Sequence, residues 1–300
     1  MSIIPVEVPT GAIRYNSDSN KMECWIGTKW MQIAVSSPDL DGGARIIAAG
    51  GNTSPANSDV IDYKSAASFG DFIDFGNLTI AKGFISESAG ASTTRGVFGG
   101  GANASIDYIT ISSTGNAEDF GDLTYSVIQA CGCSNQTRAV FGGGYSPQPS
   151  IVDTMNYVTI ASAANAVDFG NLVGNWRGAG GCASSTRGLW CGGRDPSGIS
   201  NIIQYITIAT TGNTKDFGDL TDQKDFPAAG SNSTRGIITG GRTPSISNVI
   251  EYITIATLGN ATNFGDTVQP IDEHAGTATS IRMFSVGGTD PSVTADVEYV

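Results

Sequence analysis

Arg235-Gly-Ile-Ile-Thr-Gly-Gly241, Val249-Ile-Glu-Tyr-Ile-Thr-Ile-Ala-Thr257 and Gly259-Asn-Ala-Thr-Asn-Phe-Gly-Asp266 make up one copy of the unit that decides the fold. The same order of Arg, Gly-Gly, Tyr and Phe recurs along the chain. The copies begin at Arg45, Arg95, Arg138, Arg187, Arg235 and Arg282, at intervals of 43 to 50 residues. A period of this length is typical of repeat architectures.

Each copy reads as four short strands. The first is rich in small residues, as in Ala228-Ala-Gly-Ser-Asn232, and the second is an apolar run that ends in Gly-Gly. The third alternates, as in Ile106-Asp-Tyr-Ile-Thr-Ile111, and the fourth carries Asp-Phe-Gly-Asp or a variant. Alternation with β-branched and aromatic residues is typical of strands. Four strands per unit match a propeller blade. The sequence therefore predicts an all-β protein with a propeller of six four-stranded blades; seven blades is the less favoured count.

The repeated motif resembles the kelch family. Its marks are a strand ending in Gly-Gly, a following strand with Tyr, and a last strand with an aromatic residue. The pairs are Gly50-Gly51, Gly100-Gly101, Gly143-Gly144, Gly192-Gly193, Gly240-Gly241 and Gly287-Gly288. The tyrosines are Tyr63, Tyr108, Tyr157, Tyr205, Tyr252 and Tyr299. The fourth-strand aromatic is usually Trp in that family, whereas here it is Phe75, Phe120, Phe169, Phe217 or Phe264. Blade closure is expected to use residues just before Arg45.

The N-terminal segment does not fit the repeat. Residues 11–33 predict three short strands with a small aromatic core of Tyr15, Trp25 and Trp30. We therefore expect an N-terminal β module over residues 1–40, which anchors the protein or closes a blade, and a propeller over residues 41–300. About 30 residues rarely fold alone, so the module is expected to pack against something else.

The amino-acid sequence of this segment is similar to that of a module found in tailed-bacteriophage virion proteins. That module reads roughly Gly-x-Ile-Arg-Tyr-Asn, a polar turn, Glu, and Gly-Thr-x-Trp. The matching positions here are Gly11, Ile13, Arg14, Tyr15, Asn16, Glu23, Gly27, Thr28 and Trp30. The Thr-Gly-Asn and Asp-Phe-Gly-Asp-Leu motifs of the repeats also resemble motifs in proteins of marine cyanobacterial phages. An ordinary terminal hairpin is the alternative interpretation.

The charge balance weighs against two classes of partner. The formal net charge is −12, with 16 Lys and Arg against 28 Asp and Glu. Phosphate backbones and anionic membrane surfaces attract basic proteins, so neither nucleic acid nor a membrane is an expected partner. No apolar run of membrane-spanning length is present. The five cysteines are expected to be small core residues rather than metal ligands or a disulfide framework.

The chain offers few residues for catalysis. Its single histidine, His274, is expected to be solvated, and the neighbouring Asp272 and Glu273 are expected to be surface charges. The residues therefore predict no catalytic site, no cofactor and no metal, although the sequence leaves a carboxylate pair for glycoside hydrolysis open. The repeated arginines are expected to be structural, paired with fourth-strand carboxylates such as Asp122, Asp219 or Asp266, and a ring of ligand-binding cations is the alternative.

Recognition is expected on one face of the propeller. The loops after the second and fourth strands share a face and vary in length, and variable loops on a rigid scaffold are where binding usually lies. The candidate partner-binding residues in these loops are Tyr125, Tyr145, Trp176, Arg177, Arg194, Phe226 and Arg242. Plain solvated loops are the alternative.

These expectations favour a non-enzymatic virion exterior protein: a tail fibre, spike or capsid-decoration subunit. It would be assembled in the host cytoplasm and anchored through Tyr15, Trp25 and Trp30. The expected partners are other virion proteins, a host-surface glycan or receptor, and further copies of this chain. A kelch-type interaction scaffold or lectin-like propeller is the second hypothesis, and a glycan-active enzyme is the third.

Overall fold

The protein is all-β. The computed structural model describes residues 8–16, 21–32, 45–52, 56–68, 70–85, 87–289 and 292–300. Within these ranges the regular structure consists of antiparallel β-sheets with no helix. No segment of the described ranges is therefore a helix long and apolar enough to cross a membrane.

The N-terminal module is a three-stranded sheet, as the sequence predicts. Its strands are Ile13–Asn16, Lys21–Trp25 and Trp30–Gln32. Side chains alternate between the two faces of the sheet. Ile13, Cys24 and Met31 are paired across the three strands on one face, whereas Trp25 and Trp30 are paired on the other. The proposed boundary near residue 40 lies outside the described residues.

Each of the six sequence repeats forms one sheet, numbered here from sheet 1 to sheet 6. Sheets 2 to 5 have four strands, whereas sheet 1 starts at the second strand and sheet 6 ends at the third. Sheet 1 comprises Arg45–Ala49, Ser58–Ser65 and Ile73–Lys82. Sheet 2 comprises Ala89–Ala91, Arg95–Gly99, Asn103–Thr110 and Glu118–Val127. Sheet 3 comprises Cys131–Ser134, Arg138–Gly142, Thr154–Thr159 and Val167–Asn171.

The remaining sheets follow the same order. Sheet 4 comprises Gly180–Ala183, Arg187–Cys191, Ile202–Thr207 and Lys215–Asp219. Sheet 5 comprises Ala228–Ser231, Arg235–Thr239, Val249–Thr254 and Thr262–Asp266. Sheet 6 comprises Ala275–Ala278, Met283–Val286 and Val297–Tyr299. Two short ribbons project from the loops: Arg194–Asp195 with Gly198–Ile199, and Arg242–Thr243 with Ser245–Ile246. The predicted four-strand unit is thus confirmed in sheets 2 to 5.

The hydrophobic core lies between consecutive sheets. One buried cluster joins sheets 1 and 2, and others join sheets 2 and 3, sheets 3 and 4, and sheets 4 and 5. A smaller cluster joins Ile46 and Ala66 of sheet 1 to Phe284 of sheet 6. Cys131, Cys133, Cys182 and Cys191 are buried free thiols, as the sequence predicts.

The first strands approach one another so closely that glycine is required. A Cβ on Gly181 would lie 2.1 Å from the carbonyl oxygen of Gly132, and one on Gly276 would lie 2.2 Å from that of Ala229. No side chain fits such a space. This contact explains why the first strands of sheets 2 to 6 are rich in small residues.

The repeated tyrosines and phenylalanines form edge-to-face pairs in five of the sheets. The Tyr108 and Phe120 ring centroids, for example, are 5.8 Å apart. The repeated arginine stacks on the outer face of the same tyrosine, with the Arg95 guanidinium 4.7 Å from the Tyr108 ring. In these five sheets Arg, Tyr and Phe therefore form one stacked unit.

The predicted pairing of the repeated arginines with Asp122, Asp219 and Asp266 is wrong. Five of the six guanidinium groups, those of Arg45, Arg95, Arg138, Arg187 and Arg282, instead donate to a backbone carbonyl of a neighbouring sheet. Arg95 Nη1 donates to Ile160 O at 3.1 Å, and Arg282 Nη1 of sheet 6 donates to Ala66 O of sheet 1 at 3.2 Å. The arginines are structural, but they link sheets rather than neutralise carboxylates.

Candidate functional site

The loops after the second and fourth strands of a sheet lie side by side on one face, which we call the loop face. Backbone bridges also join the loop after the fourth strand of one sheet to the loop after the second strand of the next, at Ile128 and Tyr145, Arg177 and Arg194, Asp225 and Arg242, and Asp272 and Thr289. The Gly-Gly pair allows the two loops of the same sheet to meet. Gly143 has φ +72°, and a Cβ there would lie 2.3 Å from the Trp176 carbonyl oxygen. The next amide, of Gly144, donates to the same oxygen at 2.7 Å.

A buried carboxylate organises the charged part of the loop face. Asp225 lies 3.0 Å from Arg194 Nε and 3.6 Å from Arg177 Nη2. Burial raises the pKa of Asp225, and the neighbouring arginines oppose that shift. An ionised carboxylate that is largely removed from solvent requires cationic partners, so Asp225 holds both guanidinium groups in place.

One of these arginines, Arg177, contacts two aromatic rings. The Arg177 guanidinium lies 5.1 Å from the Tyr145 ring centroid and 5.2 Å from that of Phe226. Arg177 Nη1 also donates to Gln129 Oε1 at 3.2 Å. The structure thus brings four of the predicted partner-binding residues, Tyr145, Arg177, Arg194 and Phe226, into a single cluster.

A second ion pair extends the cluster into the next repeat. Arg242 Nη2 lies 2.5 Å from Asp272 Oδ2. Asp272 is buried, so the expectation that it is a surface charge is wrong, whereas Glu273 is exposed as expected. Burial raises the pKa of Asp272, and the positive charge of Arg242 opposes the shift.

Two of the three arginines in this cluster keep solvent access. The side chains of Arg194 and Arg242 are 38% and 42% exposed. Both are held by buried carboxylates, which limits the rotamer entropy that each loses on binding a ligand. A planar guanidinium beside aromatic rings is suited to carboxylate or phosphate groups and to flat ligand surfaces. The cluster of Tyr145, Arg177, Arg194, Phe226 and Arg242 is the candidate recognition site.

His274 is buried, contrary to the expectation that it is solvated. Its side chain is 1% exposed, and Nε2 lies 2.9 Å from Thr239 Oγ1. Burial, together with the positive charge of Lys224, lowers the pKa of His274 to about 3. The imidazole is therefore neutral at neutral pH.

The sequence analysis missed Glu87, whose carboxylate is hydrogen-bonded to the first strands of sheets 4 and 6. It occupies the repeat position held by His274 in sheet 6. Its Oε1 accepts from Gly276 N at 3.0 Å and its Oε2 from Gly181 N at 3.3 Å. Burial raises the pKa of this carboxyl well above its usual range. A narrow cavity of about 10 Å³, lined by both residues together with Phe226 and Gln129, lies beside it.

Two predicted partner-binding residues are structural instead. Trp176 is 3% exposed, and its indole Nε1 donates to Gly192 O at 2.6 Å. Tyr125 donates its hydroxyl to Thr154 O at 2.8 Å, and burial raises its pKa. Neither ring faces solvent enough to stack on a ligand.

Buried lysines form another feature that the sequence analysis missed. Lys82 lies 3.8 Å from Asp107, and Lys224 lies 3.6 Å from Glu251. Both lysines occupy the repeat position of Trp176, whose carbonyl meets the Gly-Gly turn. Their carboxylate partners belong to the following sheet, so these pairs add polar links between sheets.

The residues predicted to anchor the protein, Tyr15, Trp25 and Trp30, divide between the two faces of the N-terminal sheet. Trp25 and Trp30 pack together, with ring centroids 5.4 Å apart, and Arg14 lies over the Trp30 ring. Tyr15 lies on the opposite face, which also carries the exposed side chains of Ile13, Met22 and Met31. The predicted aromatic core is thus a Trp–Trp pair only.

No group of three or more His, Cys, Asp or Glu side chains within the described ranges is arranged to hold a metal ion. A scan against protein-family models and a search of curated proteins found no match to this chain.

Proposed function

We propose that the six sheets are the blades of a closed propeller. The first strands contact their neighbours in chain order, and Glu87 of sheet 2 bonds to the first strands of sheets 4 and 6. The Arg282–Ala66 hydrogen bond and the Ile46–Phe284 cluster bring the last sheet against the first. A ring of six sheets accounts for all of these contacts. The residues just before Arg45, expected from the sequence to close the ring, lie outside the described residues.

On this scaffold, the protein functions as a non-enzymatic exterior component of a tailed-phage virion: a tail fibre, spike or decoration subunit. The observation that carries this proposal is the apolar face of the N-terminal sheet. Ile13 is 61% exposed, and Met22 and Met31 on the same face are also exposed. An apolar face on so small a sheet is a docking surface. Its partner in this proposal is another virion protein, in line with the phage-module resemblance of residues 11–30.

The candidate recognition site gives the propeller a second role. Arg194 and Arg242 present positive charge on the loop face beside Tyr145 and Phe226. Such a surface suits an acidic host-surface glycan or an acidic receptor segment. The same cluster supports the second candidate, a lectin-like propeller outside a virion.

Localisation on the particle tests the virion proposal. Antibody–gold labelling and mass spectrometry of purified particles, from the phage that carries the gene, are expected to find the chain on the outside. Ile13→Glu combined with Met31→Glu is expected to remove it from particles, because a charge cannot be buried in an apolar interface without a partner. Val268→Glu is the matched control, since Val268 is exposed on the loop face. Absence of the native chain from purified particles contradicts the proposal.

A further inference from the structure

A carboxylate without a counter-charge lies among the first strands. Glu87 is half-buried, and its two oxygens accept the backbone N–H groups of Gly276 and Gly181 at 3.0 and 3.3 Å. No ion pair among the described side chains includes Glu87. The stretches outside the described ranges contain no Lys, Arg or His that could supply a positive charge. An ionised carboxylate withdrawn from water needs a cationic partner, which these residues do not provide.

An imidazole nitrogen at the same cavity also lacks a partner. His274 is 1% exposed, and its Nε2 lies 2.9 Å from Thr239 Oγ1, whereas no described group forms a hydrogen bond with its Nδ1. A neutral imidazole has one N–H donor and one lone pair. With Nε2 donating to the threonine hydroxyl, Nδ1 is a buried acceptor that needs a donor. Buried polar atoms are rarely left unpaired, so a further group is expected beside Nδ1.

The cavity that Glu87 and His274 share admits only a very small group. Its volume is about 10 Å³, which is room for one species the size of a water molecule. Phe226 and Gln129 also line it. Gln129 Oε1 already accepts from Arg177, so it is engaged elsewhere. A species that satisfies this lining is small and positively charged, donates a hydrogen bond to nitrogen, and tolerates an aromatic ring beside it.

A series of backbone hydrogen bonds, which we call the collar, borders the cavity on the loop face. Its five residues are Phe84, Gln129, Gly178, Phe226 and Glu273, and the amide of each donates to the carbonyl of the one before it at 2.9 to 3.3 Å. All five have positive φ, between 53° and 62°, which is strained for the four that are not glycine. The last four each directly follow a residue that bridges to a neighbouring loop. The cavity therefore lies immediately beneath the loops, and Phe84 and Glu273 of its collar are exposed.

We propose that this cavity binds an ammonium group, either the free ion or the terminal group of an amine that reaches through the collar. Its N–H groups donate to Glu87 and to His274 Nδ1, and Phe226 supplies an aromatic contact. Magnesium and calcium prefer oxygen ligands, and potassium has no hydrogen to donate to Nδ1. A transition-metal site needs more ligands than the His, Cys, Asp and Glu side chains of the described ranges bring together. This inference does not depend on the virion proposal.

Thermal unfolding of the full chain at neutral pH tests the proposal. Ammonium chloride is compared with potassium chloride at equal ionic strength, because the two cations are similar in size and only ammonium donates hydrogen bonds. Ammonium is expected to raise Tm saturably above the potassium value, as does a ligand that binds only the folded state. Glu87→Gln is expected to weaken the ammonium affinity by about tenfold or more, the effect of losing a charged hydrogen bond. Glu118→Gln, an exposed position of the same sheet, is the matched control and leaves that affinity unchanged.

Nitrogen NMR of the single histidine follows the site without any substitution. In the chain labelled with ¹⁵N-histidine, ammonium is expected to shift the Nδ1 resonance of His274, and potassium is expected to leave it unchanged. Methylammonium and n-butylammonium chloride distinguish the two sources: a shift with ammonium alone assigns the site to the free ion, and a shift with the alkylammonium ions assigns it to an amine ligand. Equal Tm values in ammonium and potassium, with an Nδ1 resonance that no salt moves, would mean that water alone fills the cavity and would overturn the proposal.

Discussion

Replacing the same arginine in two different repeats gives a controlled measure of the links between sheets. Arg138 donates to Ile208 O at 3.0 Å and to Ala209 O at 2.9 Å, and it lies 4.6 Å from the Tyr157 ring. Arg235 makes the equivalent stack on Tyr252 at 4.7 Å. The two positions therefore differ chiefly in the hydrogen bonds to the next sheet.

The expected losses of stability differ accordingly. Hydrogen bonds from a charged donor contribute about 1.5–3 kcal/mol, and a solvent-accessible cation–π contact contributes about 0.5–1 kcal/mol. Arg138→Ala is expected to lower the free energy of unfolding by about 2–4 kcal/mol, and Arg235→Ala by about 0.5–1 kcal/mol. At about 2–4 °C per kcal/mol, the first change lowers Tm by roughly 4–16 °C and the second by roughly 1–4 °C.

Differential scanning calorimetry at a fixed scan rate measures both shifts. Arg138→Lys separates charge from geometry, because one ammonium group cannot reproduce the planar donor fork, and it is expected to recover less than half of the loss. Equal losses for Arg138→Ala and Arg235→Ala refute the reasoning, since they would mean that the carbonyl contacts contribute nothing.

Three further changes test other parts of the structure. Phe217→Ala is expected to lower the free energy of unfolding by about 3–5 kcal/mol, and Phe264→Ala by clearly less, because only Phe217 is buried. Urea unfolding measures both losses, and equal losses would contradict this prediction. Because the folded-state pKa of His274 is lowered to about 3, the unfolded state binds the extra proton between about pH 6.5 and 3. Stability should therefore fall by several kcal/mol as the pH drops through that window, and His274→Gln should flatten the profile of urea midpoints. Trp176→Ala is expected to lower Tm strongly, because the indole is buried and donates a hydrogen bond to Gly192 O. An unchanged Tm would contradict the structural role of Trp176.

Much of the fold is predictable because it is repeated. The Gly-Gly pair, the tyrosine and the phenylalanine mark the strands in each copy, and the sheets follow those marks at each repeat. The partner of the repeated arginine was not predictable, because a backbone carbonyl leaves no mark in the sequence. The repeat sequence suggested that these arginines pair with nearby carboxylates such as Asp122. In the structure, Arg95 instead donates to Ile160 O, and other repeats make the equivalent bond.

The candidate recognition site was predictable only in part. Tyr145, Arg177, Arg194 and Phe226 were expected on the loop face, and they do cluster there. Trp176 was misjudged because it was considered as a loop aromatic. Alignment of the repeats places it with Lys82 and Lys224, a position that points into the structure. The same alignment pairs His274 with Glu87, so repeat position was the signal that could have shown both to be interior.

Contact between the last and first sheets is the most direct test of the closed ring. Ile46 of sheet 1 and Phe284 of sheet 6 share one buried cluster. A double-mutant cycle with Ile46→Ala and Phe284→Ala, followed by urea unfolding, measures their coupling. The closed propeller predicts a coupling energy of about 0.5–3 kcal/mol. Losses that add within about 0.3 kcal/mol would contradict closure, because residues without shared contacts behave independently.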